Sequence, residues 1–214
     1  MMARKTDRST SLLKGLLPVL LCLARAAGAV EPLPALQPAG SYVDDDPSAN
    51  HLSTPPGNRA RFRRVINASI QKNPDNVSAL SHRAYLFMEG GDHVRARRDY
   101  DAALAAAEPG GPHERHALWS RGWASYEMDD YAATLSDWQR AIALHGGEPF
   151  WAAYSLALLY WTTGQAELAL QWYDAAADAD PRWATADGMA HRTRRWSPPQ
   201  QARMQALFQA WERR

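Results

Sequence analysis

Of 214 residues only one is a cysteine, Cys22, and it lies ahead of a run of small residues, Ala27-Gly28-Ala29, that reads as a cleavage site. A mature chain without thiols has no disulfide, no thiolate metal ligand and no cysteine nucleophile. Strand signals are equally scarce, since no stretch of Val, Ile and Thr alternates at period two. No glycine-rich phosphate loop follows a strand, and no serine sits in a G-x-S-x-G elbow. His113 and His116 flank Glu114 and Arg115 after Pro112 with no further His/Glu motif around them, so a solvated turn is expected rather than a metal pair. The formal net charge is only +1, too little for the basic field that a phosphate backbone rewards. These absences make a non-enzymatic chain the expectation, with no cofactor, no metal and no nucleic-acid partner.

The amino terminus is a separate object. Arg4, Lys5, Arg8 and Lys14 precede an apolar run over residues 15–24, and the A-x-A pattern of Ala27 to Ala29 follows. About ten apolar residues are too few to span a bilayer, where about 20 are needed, so residues 1–29 read as a secretory signal peptide. Leu21 stands before Cys22 where a lipoprotein site would carry a small residue. Cleavage after Ala29 removes five basic residues and one acidic one, taking the net charge from +1 to −3. The expected location is therefore secreted, in a periplasm, with membrane contact only through the transient signal.

Six of the 29 residues from 30 to 58 are proline, Asp44-Asp45-Asp46 forms a charge cluster, and no apolar periodicity is present. This composition predicts a proline-rich, disordered linker. Beyond it the apolar residues return at helical spacing. Phe62, Val65, Ile66, Ser69 and Ile70 share one face of a cap helix expected over 59–73.

Three stretches then superimpose. Ala84, Tyr100 and Ala103; Gly122, Trp138 and Ala141; and Ala157, Tyr173 and Ala176 have the same inner offsets, 16 and 19 residues. A small residue on one helix lets a second approach, and the ring fills the gap against the next pair. Gly91-Asp92, Asp129-Asp130 and Gly164-Gln165 begin seven residues after each small residue, where the first helix must stop and the second be capped. Pro109, Pro149 and Pro181 close the repeats. The units run over about 77–110, 115–148 and 150–183. After them, Trp183 to Arg195 is expected to form one helix, and Ser197-Pro198-Pro199-Gln200 opens another with a capping box. Met204, Leu207, Phe208 and Trp211 share a face of that last helix, so 184–214 reads as a degenerate terminal pair.

With those residues in place, the chain resembles the tetratricopeptide repeat family, whose unit is a helix-turn-helix of about 34 residues. Ala84, Gly122 and Ala157 match the family's small residue on the first helix; Ala96, Thr134 and Ala169 match the one opening the second, and Ala103, Ala141 and Ala176 the one near its end. The chain departs from the family in repeat lengths of 38 and 35 residues, in Thr134, and in Phe87, Ser125 and Tyr160 at a position where the family usually has tyrosine. The resemblance implies an all-α fold, a right-handed superhelical solenoid with helical caps. It also implies a concave face lined by the first helix of each pair.

On the resemblance, fifteen residues face that groove. Repeat one offers Ser78, Ser81, Tyr85, Met88 and Glu89, and repeat two His116, Trp119, Trp123, Tyr126 and Glu127. Repeat three offers Trp151, Tyr154, Leu158, Trp161 and Thr162. Seven of the fifteen are Trp or Tyr, the stiff amphipathic rings of interaction hot spots. The expected ligand groove is Tyr85, Glu89, Trp119, Trp123, Tyr126, Glu127, Trp151, Tyr154 and Trp161. Its expected ligand is a protein or extended, proline-containing peptide segment, with a polysaccharide as the alternative because sugar faces also stack on such rings.

Overall fold

The computed structural model describes residues 31–49 and 58–214. The expected signal peptide and residues 30 and 50–57 of the expected linker lie outside the described residues. Among the described residues there are nine α-helices and one isolated parallel bridge, between Asp44 and Pro149. The helices are α1 (Arg59–Lys72), α2 (Val77–Glu89), α3 (His93–Ala106), α4 (Pro112–Glu127) and α5 (Tyr131–His145). They continue with α6 (Phe150–Thr162), α7 (Ala166–Ala179), α8 (Ala186–Thr193) and α9 (Pro198–Glu212). None is long and apolar enough to cross a membrane.

Helices pair as α2 with α3, α4 with α5 and α6 with α7, and α2 also packs on α4. Each pair begins and turns by local chemistry. Asn76, Asp92 and Asp130 accept bonds from the amides of Ala79, Arg95 and Ala133, capping α2, α3 and α5. Gly91, Asp129 and Gly164, one in each turn, all have positive φ, 77°, 58° and 80°. Only the middle turn asks a side chain to adopt the left-handed conformation, and Asp is among the residues that tolerate it.

The small residues lie where two helices meet. Ala84, Ala96, Ala103, Ala141, Ala157 and Ala169 are wholly buried, as are the rings Tyr100, Trp138 and Tyr173. A Cβ on Gly122 would overlap the Trp138 indole. Repeat two thus joins the largest of the three rings to the smallest of the three residues. Thr134, which replaces an alanine, turns its hydroxyl back to donate to the Asp130 carbonyl at 3.0 Å and the Gly122 carbonyl at 3.2 Å.

A second register of the repeat is polar. Arg83 bonds Asp99 through Nε at 2.5 Å and Nη2 at 3.1 Å, and Arg121 bonds Asp137 at 2.8 and 2.7 Å. Both carboxylates are buried, and both pairs stand in the same place between first and second helix. At the equivalent positions repeat three has Leu156 and Trp172, both buried.

The two ends differ from expectation in detail. On α1 the inward stripe is Ile66, which is buried, with the partly buried Phe62 and Ile70, packed on Ala79 and Leu86, whereas Val65 is 60% exposed. The single helix expected from Trp183 to Arg195 is broken: a 3-10 turn over Pro181–Ala184 ends at Thr185, whose extended backbone and hydroxyl cap α8 at the Gly188 amide. The capping box of Ser197 and Gln200 opens α9. Met204, Leu207 and Phe208 of α9 are buried on α6 and α7.

The linker expectation is corrected over residues 31–49. This stretch is extended but not free, because Leu33, Tyr42 and Asp46 are buried against the repeats and its main chain is hydrogen-bonded to α4, α6, α7 with its N-cap Gln165, and the loop before α6. Proline density gives extension, and three buried side chains are enough to fix the path.

Candidate functional site

The C-terminal half of α2, the middle and C-terminal turns of α4 and the N-terminal turns of α6 meet at one cavity of about 650 Å³. Tyr85, Met88 and Glu89 come from α2, Trp119, Trp123 and Glu127 from α4, and Phe150 and Tyr154 from α6. The fourth wall is the corner between α8 and α9, where Arg192, Arg194, Arg195, Trp196, Ser197 and Gln200 turn back over the face. Trp196 is the hinge of this closure. Its ring lies 5.3 Å from Trp123 and 5.8 Å from Tyr154, so it bridges repeats two and three. Tyr154 in turn lies 5.1 Å from Trp183.

Six of the nine expected groove residues therefore line the cavity: Tyr85, Glu89, Trp119, Trp123, Glu127 and Tyr154. Three do not. Tyr126 is buried, its hydroxyl 2.7 Å from Thr162 and 3.0 Å from Arg203. Trp151 is wholly buried and donates its indole N–H to Asp46 at 2.9 Å. Trp161 packs against the main core away from the cavity. Sequence reasoning missed the basic wall and Trp196, because both belong to a terminal segment whose path depends on tertiary folding; the run Arg192 to Trp196 was the available signal.

Four arginines against two glutamates line the cavity. Arg59 reaches Glu89 at 3.1 Å, and Arg192 pairs with Asp180 at 3.0 Å while lying 5.6 Å from the Trp183 ring. Burial pushes the Glu127 carboxyl up from its ordinary value; the Ser197 hydroxyl bond and Arg203 pull the other way, and Asp129 and Glu89 add to the rise. Burial raises the Tyr85 phenol too, helped by Glu89 and Glu127, and pushes Tyr154 up to about 12. Both phenols are neutral hydrogen-bonding groups at physiological pH. The cavity thus offers stacking faces, two carboxylates and a cationic rim, a recognition chemistry.

The histidine pair is corrected. His113 to His116 open α4 rather than forming a solvated turn. Glu114 is buried, accepts from the Gly110 amide at 2.6 Å and pairs with Arg140. Arg115 bonds Asp46 at 3.0 Å. His116 is buried with Nδ1 2.7 Å from the Ser48 carbonyl, which makes that nitrogen the donor. Burial lowers its pKa, opposed by the Ser48 bond. No group of three or more His, Cys, Asp or Glu among the described residues is placed to hold a metal.

A family model described as "Tetratricopeptide repeat" matches residues 58–112, 83–149 and 120–182. Among solved structures, the chain is similar to the one titled "Crystal structure of MamA", with a TM-score of 0.48 and 20% identity, covering 77% of this chain and 95% of that one. No curated protein matches.

Proposed function

We propose, from the premise that this chain belongs to the tetratricopeptide repeat family, that it is a non-catalytic adaptor holding a protein or peptide segment in the cavity between its first three helix pairs and the α8–α9 corner. Proteins of the family generally bind proteins or peptides. The observation that carries the reading is convergence: rings and carboxylates from three separate helices, α2, α4 and α6, meet in one cavity around Trp196. Stacking rings take proline and aromatic side chains, the glutamates take ligand amides or cations, and the arginine rim takes ligand carboxylates. A secretory signal over residues 1–29 would place this adaptor in the periplasm.

Display panning of random peptides against the full chain tests this function. Selected peptides should quench tryptophan fluorescence and bind at least tenfold more weakly to Trp196→Ala, with a melting curve matching the parent's as the control that the fold survives. Quenching by oligosaccharides, with no peptide enriched, would transfer the cavity to the polysaccharide alternative.

A further inference from the structure

Residues 31–49 run as an extended segment across the third repeat and the loop before it. We infer that the surface formed by Gln165, Tyr160, Trp172 and Glu148 is a peptide-binding site for an extended segment of a partner protein, and that residues 31–49 are its resident, exchangeable occupant. This inference does not depend on what the cavity binds.

The contacts are those of main-chain recognition. The Gln165 side-chain amide accepts from the Leu33 amide and donates to the Leu33 carbonyl, both at 2.9 Å. The Tyr160 hydroxyl accepts from the Leu36 amide at 2.9 Å and donates to the Pro34 carbonyl at 2.8 Å, and the Trp172 indole donates to the Leu36 carbonyl at 2.6 Å. The Glu148 carboxylate accepts from the Ser41 amide at 2.5 Å. Asp44 then joins the loop through the isolated parallel bridge, its amide 3.1 Å from the Glu148 carbonyl and its carbonyl 3.0 Å from the Phe150 amide. Selectivity comes from few side chains: Leu33 and Tyr42 are buried, and the Tyr42 ring meets Trp172 edge-on at 5.0 Å. A partner segment of matching chemistry is extended, carries leucines three residues apart, and follows them with a tyrosine and an aspartate.

The three repeats provide an internal control. Asp92 and Asp130 cap the second helix of repeats one and two, but Gln165 at the same position makes no capping bond and spends its amide on Leu33. Arg83–Asp99 and Arg121–Asp137 brace the first two pairs, while the third has Leu156 and Trp172 there, and Trp172 bonds residues of the segment. Phe87 and Ser125 correspond to Tyr160, whose hydroxyl makes two of the bonds. Repeat three has thus exchanged structural interactions for contacts to one peptide backbone.

Exchange has a consequence for the cavity. The far end of the segment anchors on α4 and α6 through Asp46 to Trp151 and Arg115, and through Ser48 to His116, and Ala49 lines the cavity. A partner segment entering the track withdraws this edge.

The test uses a fluorescent peptide with the sequence of residues 31–49 and the full chain. The resident belongs to the same chain as the track, so it competes as an intramolecular ligand, at an effective concentration on the order of millimolar. The variant Leu33→Ser, Leu36→Ser, Tyr42→Ser should bind the peptide at least tenfold more tightly than the parent, and adding Gln165→Ala and Trp172→Phe should abolish the gain. Trp196→Ala should leave it intact. Equal binding by parent and evicted variant, or binding indifferent to Gln165 and Trp172, overturns the inference. Should the evicted variant not fold, the parent decides alone: excess peptide should accelerate deuterium exchange at the Leu33, Leu36 and Ser41 amides, and unchanged exchange at saturation overturns it.

Discussion

Trp138 occupies the space that a methyl group on residue 122 would need, so the closest approach of α4 to α5 is set by the absence of a side chain at Gly122. Gly122→Ala gains helix propensity of about 1 kcal/mol. It then forces a wholly buried indole off its rotamer, and overpacking of this kind costs about 1–3 kcal/mol. Net destabilisation in urea titration is expected, with recovery when Trp138→Tyr is added. A Gly122→Ala chain as stable as the parent would mean that the pair relaxes freely.

Asp137→Ala removes two charge-assisted bonds and leaves the partly buried Arg121 without its main partner. The expected loss is about 2 kcal/mol. Arg121→Leu in the same chain should restore part of it, because repeat three already carries Leu156 at that position. A double-mutant cycle with no coupling would show the pair to be incidental.

Ser197→Ala breaks the capping box of α9 and also takes the hydroxyl bond from Glu127. About 1 kcal/mol of stability should disappear. Beside Ser197, Trp196 should become more exposed, visible as a red-shifted emission.

Acid should loosen the 31–49 segment first. His116 is held neutral by burial, so its folded pKa lies below the ordinary 6.5, and the stability it contributes is complete above that value and declines as pH falls below it. Burial alone would raise Asp46, but bonds from Ser48, Trp151 and Arg115 outweigh it, so a second loss begins as pH falls below 3.8. His116→Gln should flatten the melting temperature between pH 7 and 5 while leaving the lower step. An unchanged slope would place the titrating group elsewhere.

The helix pairs were legible because packing demands a fixed chemistry at fixed spacing: Ala84 and Ala157 are wholly buried, and Gly122 has no room for even a methyl group. The groove was legible only in part. Trp119 and Trp123 line the cavity yet are themselves buried, so Trp123→Ala should cost about 3–5 kcal/mol and makes a poor binding probe beside the half-buried Trp196. Trp151 and Tyr126 carry the same residue types at groove positions but are consumed by Asp46 and by Thr162 and Arg203. The 31–49 segment was illegible because many of its bonds are made by its main chain, which every sequence shares, and its three buried side chains, Leu33, Tyr42 and Asp46, are too widely spaced to show a period.

At the other end of the chain, α9 seals the α6–α7 couple with Met204, Leu207 and Phe208, and Trp211 ties itself to Asp174 at 2.7 Å. In this position α9 covers the flank of α6 and α7 on which a further couple would rest. Anyone lengthening this solenoid with grafted modules would have to excise α9 first, and in doing so would lose Arg203 and Gln200 and unfasten the rear wall of the cavity.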